Sequence, residues 1–201
     1  MKIIGVTGGI GSGKSLICRV FTMLNVPVYH ADLWARELTN SDPFIQNGLK
    51  KLMGETIYNQ GVLNRSLMAD FVFSDKSLLA KVNQLIHPQV YHHFNNWCNL
   101  HSHYRYVLHE SAVIFESNGD RYFESVITVS APPEIRISRV LERQGMTREK
   151  ALAVIGNQLS EEDRIARADH VIVNDSTRLV TPQVLKLHQL FCSRDDEEII
   201  I

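Results

Sequence analysis

The 201-residue chain is short of several things, and each shortage removes a class of protein. Its three cysteines, Cys18, Cys98 and Cys192, are odd in number, far apart, and without a CxxC spacing or a histidine at ligand spacing. That excludes a disulfide framework and fits reduced packing thiols in a cytosolic protein. No apolar run approaches the ~18 residues of a membrane span. Met1-Lys2 leads straight into an apolar segment with no room for a signal peptide, so a cytoplasmic protein with no membrane partner is expected. An excess of either charge is also lacking: 21 Lys+Arg against 22 Asp+Glu leave a formal net charge of −1. A general polyanion binder needs a basic surplus, so nucleic acid is not an expected partner and any phosphorylated ligand must be attracted locally. Internal repeats and low-complexity tracts are absent. The length suits a single α/β domain with an inserted subdomain, as a monomer or small homo-oligomer, and is too short for two large independent domains.

What is present is concentrated near the start. Lys2 to Thr7 reads as a short buried strand, Gly8 to Gly13 as a loop, and the run from Lys14 as a helix. Within that context Gly8-Gly9-Ile10-Gly11-Ser12-Gly13-Lys14-Ser15 matches GxxxxGKS, the phosphate-binding loop of nucleoside triphosphate enzymes. Its glycines let the backbone curl until N–H groups and a helix N-terminus face phosphate oxygens. Lys14 is expected to reach the β- and γ-phosphates of ATP, and Ser15 to offer its hydroxyl to Mg²⁺. Ile17, Val20, Phe21 and Leu24 then follow at helical spacing, one apolar face of an amphipathic helix.

Four further apolar segments read as strands: Val26 to Tyr29, Tyr104 to His109, Ser125 to Ser130, and His170 to Val173. With helical stretches between them, they predict a five-stranded parallel sheet with helices on both faces. Ligands of such sheets bind beyond the carboxyl ends of the strands, which points to Gly8 to Ser15, His30 to Asp32, Glu110 to Glu116 and the segment after Ser130. The long stretch between the second and third strands exceeds any ordinary crossover and predicts an inserted helical subdomain over 33–103. Inside it, Ser41-Asp42-Pro43 is a helix start, and Pro88 is expected to start or kink a helix. A second insert over 132–169 opens at Pro132-Pro133 with a helix through Arg143 that Gly145 ends, and Thr147 and Ser160 look like further caps. Residues 195–201 lack periodicity and are expected to fray. His92, His93, His101 and His103 read as solvated surface of a helix and its exit in preference to a metal site.

Asp32 stands just past the second strand, where a small-molecule kinase wants a carboxylate facing an acceptor hydroxyl. Position alone allows an alternative, a cap on a helix beginning near Leu33. Arg136, Arg139 and Arg143 fall on one helix face. Either they neutralise a transferring phosphoryl group, with Arg148, Arg164 and Arg167 adding cations to a mobile lid, or they are a solvated face paired with Glu134 and Glu142.

These residues together resemble the dephospho-CoA kinase family over nearly the whole chain. Thr7 to Ser15 matches the family's form of the phosphate loop, and Ala31-Asp32 with Ala35-Arg36-Glu37 is similar to its DAD-x-x-ARE segment, whose second Asp is the base. Leu85-Ile86-His87-Pro88, Phe115-Glu116-Ser117, then Arg139, Arg143, Gln158 and Ala168 to Asn174 resemble its helical-domain, LLFE-S, lid and adenine-site elements. The chain departs from the pattern in four places: His30 for the first Asp, Leu16 for Thr, Ser111-Ala112-Val113-Ile114 for VPLL, and Arg136 for Gln. The resemblance implies ATP-dependent, Mg²⁺-assisted phosphorylation of the 3′-hydroxyl of dephospho-CoA. It implies ATP contacts from Gly8, Gly9, Gly11, Ser12, Gly13, Lys14, Ser15 and the Leu16 N–H, and catalysis by Lys14, Asp32, Arg139 and Arg143. The acceptor would meet Asp32 and, in the inserted subdomain, Arg36 and His87. Another small-molecule P-loop kinase, for a nucleotide or sugar, would share this core. A P-loop regulatory ATPase would be expected to carry an Asp after a neighbouring apolar strand, where Tyr106 to Glu110 offers only Glu.

Overall fold

The structure, a computed structural model, describes residues 1–142 and 146–193. By its internal contacts the chain divides into two units, one of residues 1–30 with 101–201 and one of residues 31–100.

The first unit is built on a parallel sheet. Strand β1, Lys2–Thr7, runs into helix α1, Lys14–Met23, and then β2, Val28–His30. The second strand is shorter at its start than the apolar run suggested. Pro27 has no N–H for the ladder and contributes only its carbonyl, which accepts from Leu108 N–H at 2.9 Å. The second unit follows directly, with α2, Ala31–Ser41, α3, Pro43–Met53, a small hairpin of β3, Tyr58–Asn59, and β4, Val62–Leu63, then α4, Arg65–Ser74, and α5, Lys76–Leu100. Returning to the first unit, β5 is Tyr106–Glu110, β6 Ser125–Ser130, α6 Pro133–Leu141, α7 Arg148–Gly156, α8 Glu161–Arg167, β7 His170–Val173 and α9 Val180–Cys192. The third sheet strand extends to Glu110 because the ladder continues on both sides, Val6 opposite it on β1 and His30 on β2.

The strand order is β2-β5-β1-β6-β7 and every pairing is parallel. The chain leaves β1 toward one edge and later crosses to the other, so β1 sits where the order reverses. The crevice beyond its carboxyl end is where such sheets bind ligands. One sheet face is sealed by Ile17 and Phe21 of α1 and by Val184, Leu187 and Phe191 of α9, packed on Ile4, Val6, Leu108, Ile127, Val129 and Ile172. Each fully buried side chain of this kind stabilises the fold by about 1.5–3 kcal/mol relative to exposure. The apolar face of α1 therefore serves to hold the loop before it against the sheet. Burial pushes the Cys18 thiol up, reinforced by Glu110, with Lys14 pulling the other way, so Cys18 is a packing thiol.

The second unit has its own core, with Ile45, Leu49 and Met53 of α3, Ile57, Leu63, and Val82 and Ile86 of α5. Pro88 does not start a helix: it lies inside the single helix α5, whose buried residues Val82, Ile86, Phe94 and Cys98 flank it on both sides. The packing of those residues offsets the one hydrogen bond a proline removes. Expected starts at Asp42, Thr147 and Ser160 are present, each side chain accepting from an N–H of the first helical turn. Arg143 and Gly145, named for the end of the helix after Pro132, lie outside the described residues, as does the 195–201 tail.

Candidate functional site

The loop from Gly8 to Gly13 turns back at the carboxyl end of β1 through left-handed conformations, φ 79° at Gly11 and 98° at Gly13. A side chain would be strained at either position, and a Cβ would also collide, with the Arg136 carbonyl at Gly11 and with the Asn174 amide at Gly13. Gly13 serves as the N-cap of α1 but supplies no side-chain cap, and the first turn carries no acidic residue. Among the described residues the N–H groups of Gly11, Gly13 and Ser15 have no hydrogen-bond acceptor. Unmet donors at a helix start, with the positive end of the helix dipole behind them, form a site for phosphate. Lys14 Nζ donates to the Gly8 carbonyl at 2.8 Å, so its ammonium spans the loop. Ser15 is exposed at the start of α1. The Leu16 N–H, expected to remain for an α-phosphate, instead donates to the Gly13 carbonyl at 3.0 Å.

The arginines divide. Arg139 is set against the loop, Nη1 reaching the Gly11 and Ser12 carbonyls at 3.4 Å each while Nη2 donates to the Asn174 carbonyl at 3.1 Å and to Ser176 Oγ at 3.0 Å. Asn174 Nδ2 donates to the Ser12 carbonyl at 2.8 Å, which ties the end of β7 to the same loop. Arg136 is not on a solvated face. Only 4% of it is exposed, and its partner is Glu161 at 3.1 Å instead of Glu134 or Glu142. Burial pushes its ionisation down, Glu161 opposes that, and neighbouring Arg164 adds to it. Three further arginines of that segment are also engaged: Arg148 with Glu134, Arg164 with Glu161, and Arg167 with Asp120. They are therefore not a reserve of unpaired lid charge.

At the same end of the sheet, His30 Nδ1 lies 3.0 Å from Glu110 Oε2, and Glu110 is 7% exposed. The histidine that departs from the family's DAD pattern thus has a carboxylate partner on the adjacent strand. Asp32 is an exposed residue in the first turn of α2, which begins at Ala31 and not near Leu33. It is therefore not the cap of that helix. Arg36 lies four residues along the same helix face, and His87 lies on α5, which packs against α2 through Trp34 and His93, ring centroids 4.2 Å apart. Asp32, Arg36 and His87 belong to the 31–100 unit, and the phosphate loop and Arg139 to the other. Among the described residues no cluster of three metal-ligating His, Cys, Asp or Glu side chains occurs, and no helix is long and apolar enough to cross a membrane.

Reading by motif overlooked Glu161, an acid in the first turn of α8, and Ser176. Gln158 and Asn174 stood out only through the family resemblance, because their partners in the loop are 148 and 162 residues away in sequence. No local spacing signals such contacts.

A five-stranded parallel sheet with a GxxxxGKS loop at its switch point defines a P-loop α/β kinase fold. The shikimate kinase of Bacteroides thetaiotaomicron shares it at a TM-score of 0.51 and 15% identity, over 94% of this chain and 97% of its own. A crystal structure from Thermus thermophilus superposes with a TM-score of 0.86 at 30% identity, over 96% of this chain and 98% of its own. The family model described as dephospho-CoA kinase matches residues 2–179. The dephospho-CoA kinase of Bacteroides fragilis is 35% identical over 184 residues, 92% of this chain and 90% of its own length. That of Porphyromonas gingivalis is 36% identical over 188 residues, 93% of each. The chain belongs to the dephospho-CoA kinase family.

Proposed function

We propose that this protein transfers the γ-phosphoryl group of ATP to the ribose 3′-hydroxyl of dephospho-CoA, giving CoA and ADP. The observation that carries the reading is the loop at the carboxyl end of β1, with its unmet N–H donors and uncapped helix, in a chain of this family. In it Lys14 and the N–H groups of the Gly8–Ser15 loop hold the β- and γ-phosphates, with Gly9 and Ser12 shaping the turn. Asp32 orients the acceptor hydroxyl and takes its proton late, which suffices in a loose phosphoryl-transfer transition state. The 31–100 unit takes the acceptor, with Arg36 and His87 as contacts. The 132–169 segment acts as a lid whose Arg139 and Arg143 neutralise charge on the transferring group.

The exposed Ser15 hydroxyl, a hard oxygen donor beside the phosphate loop, fits Mg²⁺, which keeps most of its ligands as water and phosphate oxygens. When bound, that ion neutralises charge on the β- and γ-phosphates. A cytoplasmic setting accords with Cys18, Cys98 and Cys192 all being free.

The test is ATP turnover with dephospho-CoA, adenosine, AMP and gluconate as competing acceptors. Strong selectivity for dephospho-CoA is expected. Comparable turnover with AMP or a sugar and none with dephospho-CoA would overturn the assignment in favour of another small-molecule kinase.

A further inference from the structure

The apex of the phosphate loop is held from outside the loop. Ile10 donates its N–H to Gln158 Oε1 at 2.8 Å, and its carbonyl accepts from Arg136 Nε at 3.0 Å. One bond fixes the peptide unit before Ile10 and the other the unit after it. The Arg136 guanidinium also lies so close to Gly9 that a Cβ there would collide with it, and the Arg136 carbonyl fills the space a Cβ of Gly11 would need. Arg136 therefore touches three consecutive residues of the loop. Behind it, Glu161 Oε2 accepts from Arg136 Nη1 at 3.1 Å and from Arg164 Nη1 at 2.9 Å.

The composition of this cluster is unusual for mere packing. Arg136 and Arg164 are 4% and 1% exposed and share a single carboxylate, so the site buries a surplus positive charge. A desolvated cation without its own counter-ion is unfavourable, and a one-to-one Glu161–Arg164 pair would be the better way to anchor α8. The second cation makes sense through what it faces: Gly9, Ile10 and Gly11, part of a loop shaped for polyphosphate. We propose that Arg136, assisted by Gln158 and oriented by Glu161, is a positioning residue for the nucleotide. It sets the Gly9–Gly11 backbone in its phosphate-binding form before the ligand arrives and places a buried positive charge behind it. The inference rests on the ATP-binding reading above and assigns that site two supports from the 132–169 segment.

A loop already ordered loses little freedom on binding, and each residue released would have to be ordered again, weakening affinity by roughly tenfold per residue. Because the support acts before chemistry, it serves ground state and transition state alike. Its loss raises the Kd for ADP and the KM for ATP and leaves kcat and the acceptor KM in place.

The experiment uses full-length Arg136→Met and Gln158→Ala proteins, with ADP titrated calorimetrically, steady-state kinetics in both substrates, and thermal unfolding. Arg136→Met leaves Glu161 paired one-to-one with Arg164, so the variant should fold. It is expected to bind ADP at least about tenfold more weakly, and Gln158→Ala about threefold, with kcat and acceptor KM within about twofold of the parent. Unchanged ADP affinity in both variants, whatever happens to their unfolding temperatures, would reduce the cluster to packing for α8 and overturn the proposal. If Arg136→Met does not fold, Gln158→Ala decides by the same criterion, since it removes one acceptor from a half-buried residue. Parent protein that fails to bind ADP at all would overturn the kinase reading itself, a result separable from normal parent binding with unaffected variants.

Discussion

Helices α1 and α3 begin in opposite ways. In α3, Asp42 accepts from the N–H groups of Phe44 and Ile45 at 2.7 and 3.1 Å, and Pro43 occupies the first position. In α1, Gly13 offers no side chain and the first turn has no acid. A side-chain cap meets donors that a helix start otherwise leaves open and stabilises by about 1 kcal/mol. Helices α4, α7 and α8 accept that stabilisation from Asn64, Thr147 and Ser160. The start of α1 forgoes it and keeps its donors for a ligand. The contrast separates helix starts organised for their own stability, found in both units, from one that holds unmet polar groups in readiness.

The strongest way to probe that contrast is through the one residue of the 31–100 unit assigned to chemistry. Asp32 sits in the first turn of α2, so Asp32→Asn removes a charge–dipole interaction worth about 0.3–1 kcal/mol, and no cap is lost. Loss of a general base should nevertheless lower turnover by roughly 10²- to 10⁴-fold. ADP affinity should not change, because the nucleotide is assigned to the other unit. Thermal unfolding, ADP titration and turnover on one preparation check this. A stable, fully active Asp32→Asn protein would move the base elsewhere, with Glu110 next in line.

On the other side of the comparison, Lys14→Ala should reduce kcat by about 10²-fold or more, the usual effect of deleting an electrostatic stabiliser of charge that develops in the transition state. Lys14 is half-buried and bridges to the Gly8 carbonyl, so it is less exposed than its motif suggests, but it belongs to no apolar cluster and the fold should survive. Full activity in a folded Lys14→Ala enzyme would contradict the phosphate-loop reading. Arg139→Ala should have a smaller effect, roughly ten- to a hundredfold on turnover, the value of one charge-assisted hydrogen bond, with the acceptor KM less affected. Single-turnover rates against acceptor binding distinguish this from a general loosening of the loop, which would weaken ADP binding as well.

How much of this was legible in the sequence depended on whether the determining chemistry was local. Strands β1, β6 and β7 and the loop follow from short apolar runs and fixed glycine spacing, and the caps Asp42, Thr147 and Ser160 from side chains that bond within three residues. Pro27 and Pro88 were harder. The first moved a strand boundary by removing a donor, while the second stayed inside a helix whose buried residues on both sides hold it. The support beneath the loop was legible only in part, since Gln158 stood out through the family resemblance but its contact with Ile10 did not. Arg136 reads as a lid cation or as part of a solvated face until the fold brings Glu161 and Ile10 to it, and nothing in the spacing of Glu161 separates it from Glu162, its exposed neighbour. Contacts made across 126 and 148 residues, as at Ile10, depend on the sheet order, which the local pattern does not encode.

The smallest effect tests the contrast most directly. Asp42→Ala removes the acceptor of two first-turn donors, which water can replace only at the exposed Phe44, since Ile45 is fully buried. The expected loss is about 1 kcal/mol of stability, near the middle of the range for N-cap truncation. Asp42→Asn should recover most of it, because the amide oxygen caps nearly as well as the carboxylate. Neither change should alter the Kd for ADP, whose site is assigned to α1. Saturating ADP should in turn raise the unfolding temperature of the parent and of both variants by similar amounts, since the ligand stabilises by RT ln(1 + [L]/Kd) and Kd is common to all three. An Asp42→Ala protein that loses ADP affinity in step with stability would show that the start of α3 also serves the nucleotide, and the division between a capped helix for packing and an open one for binding would fail.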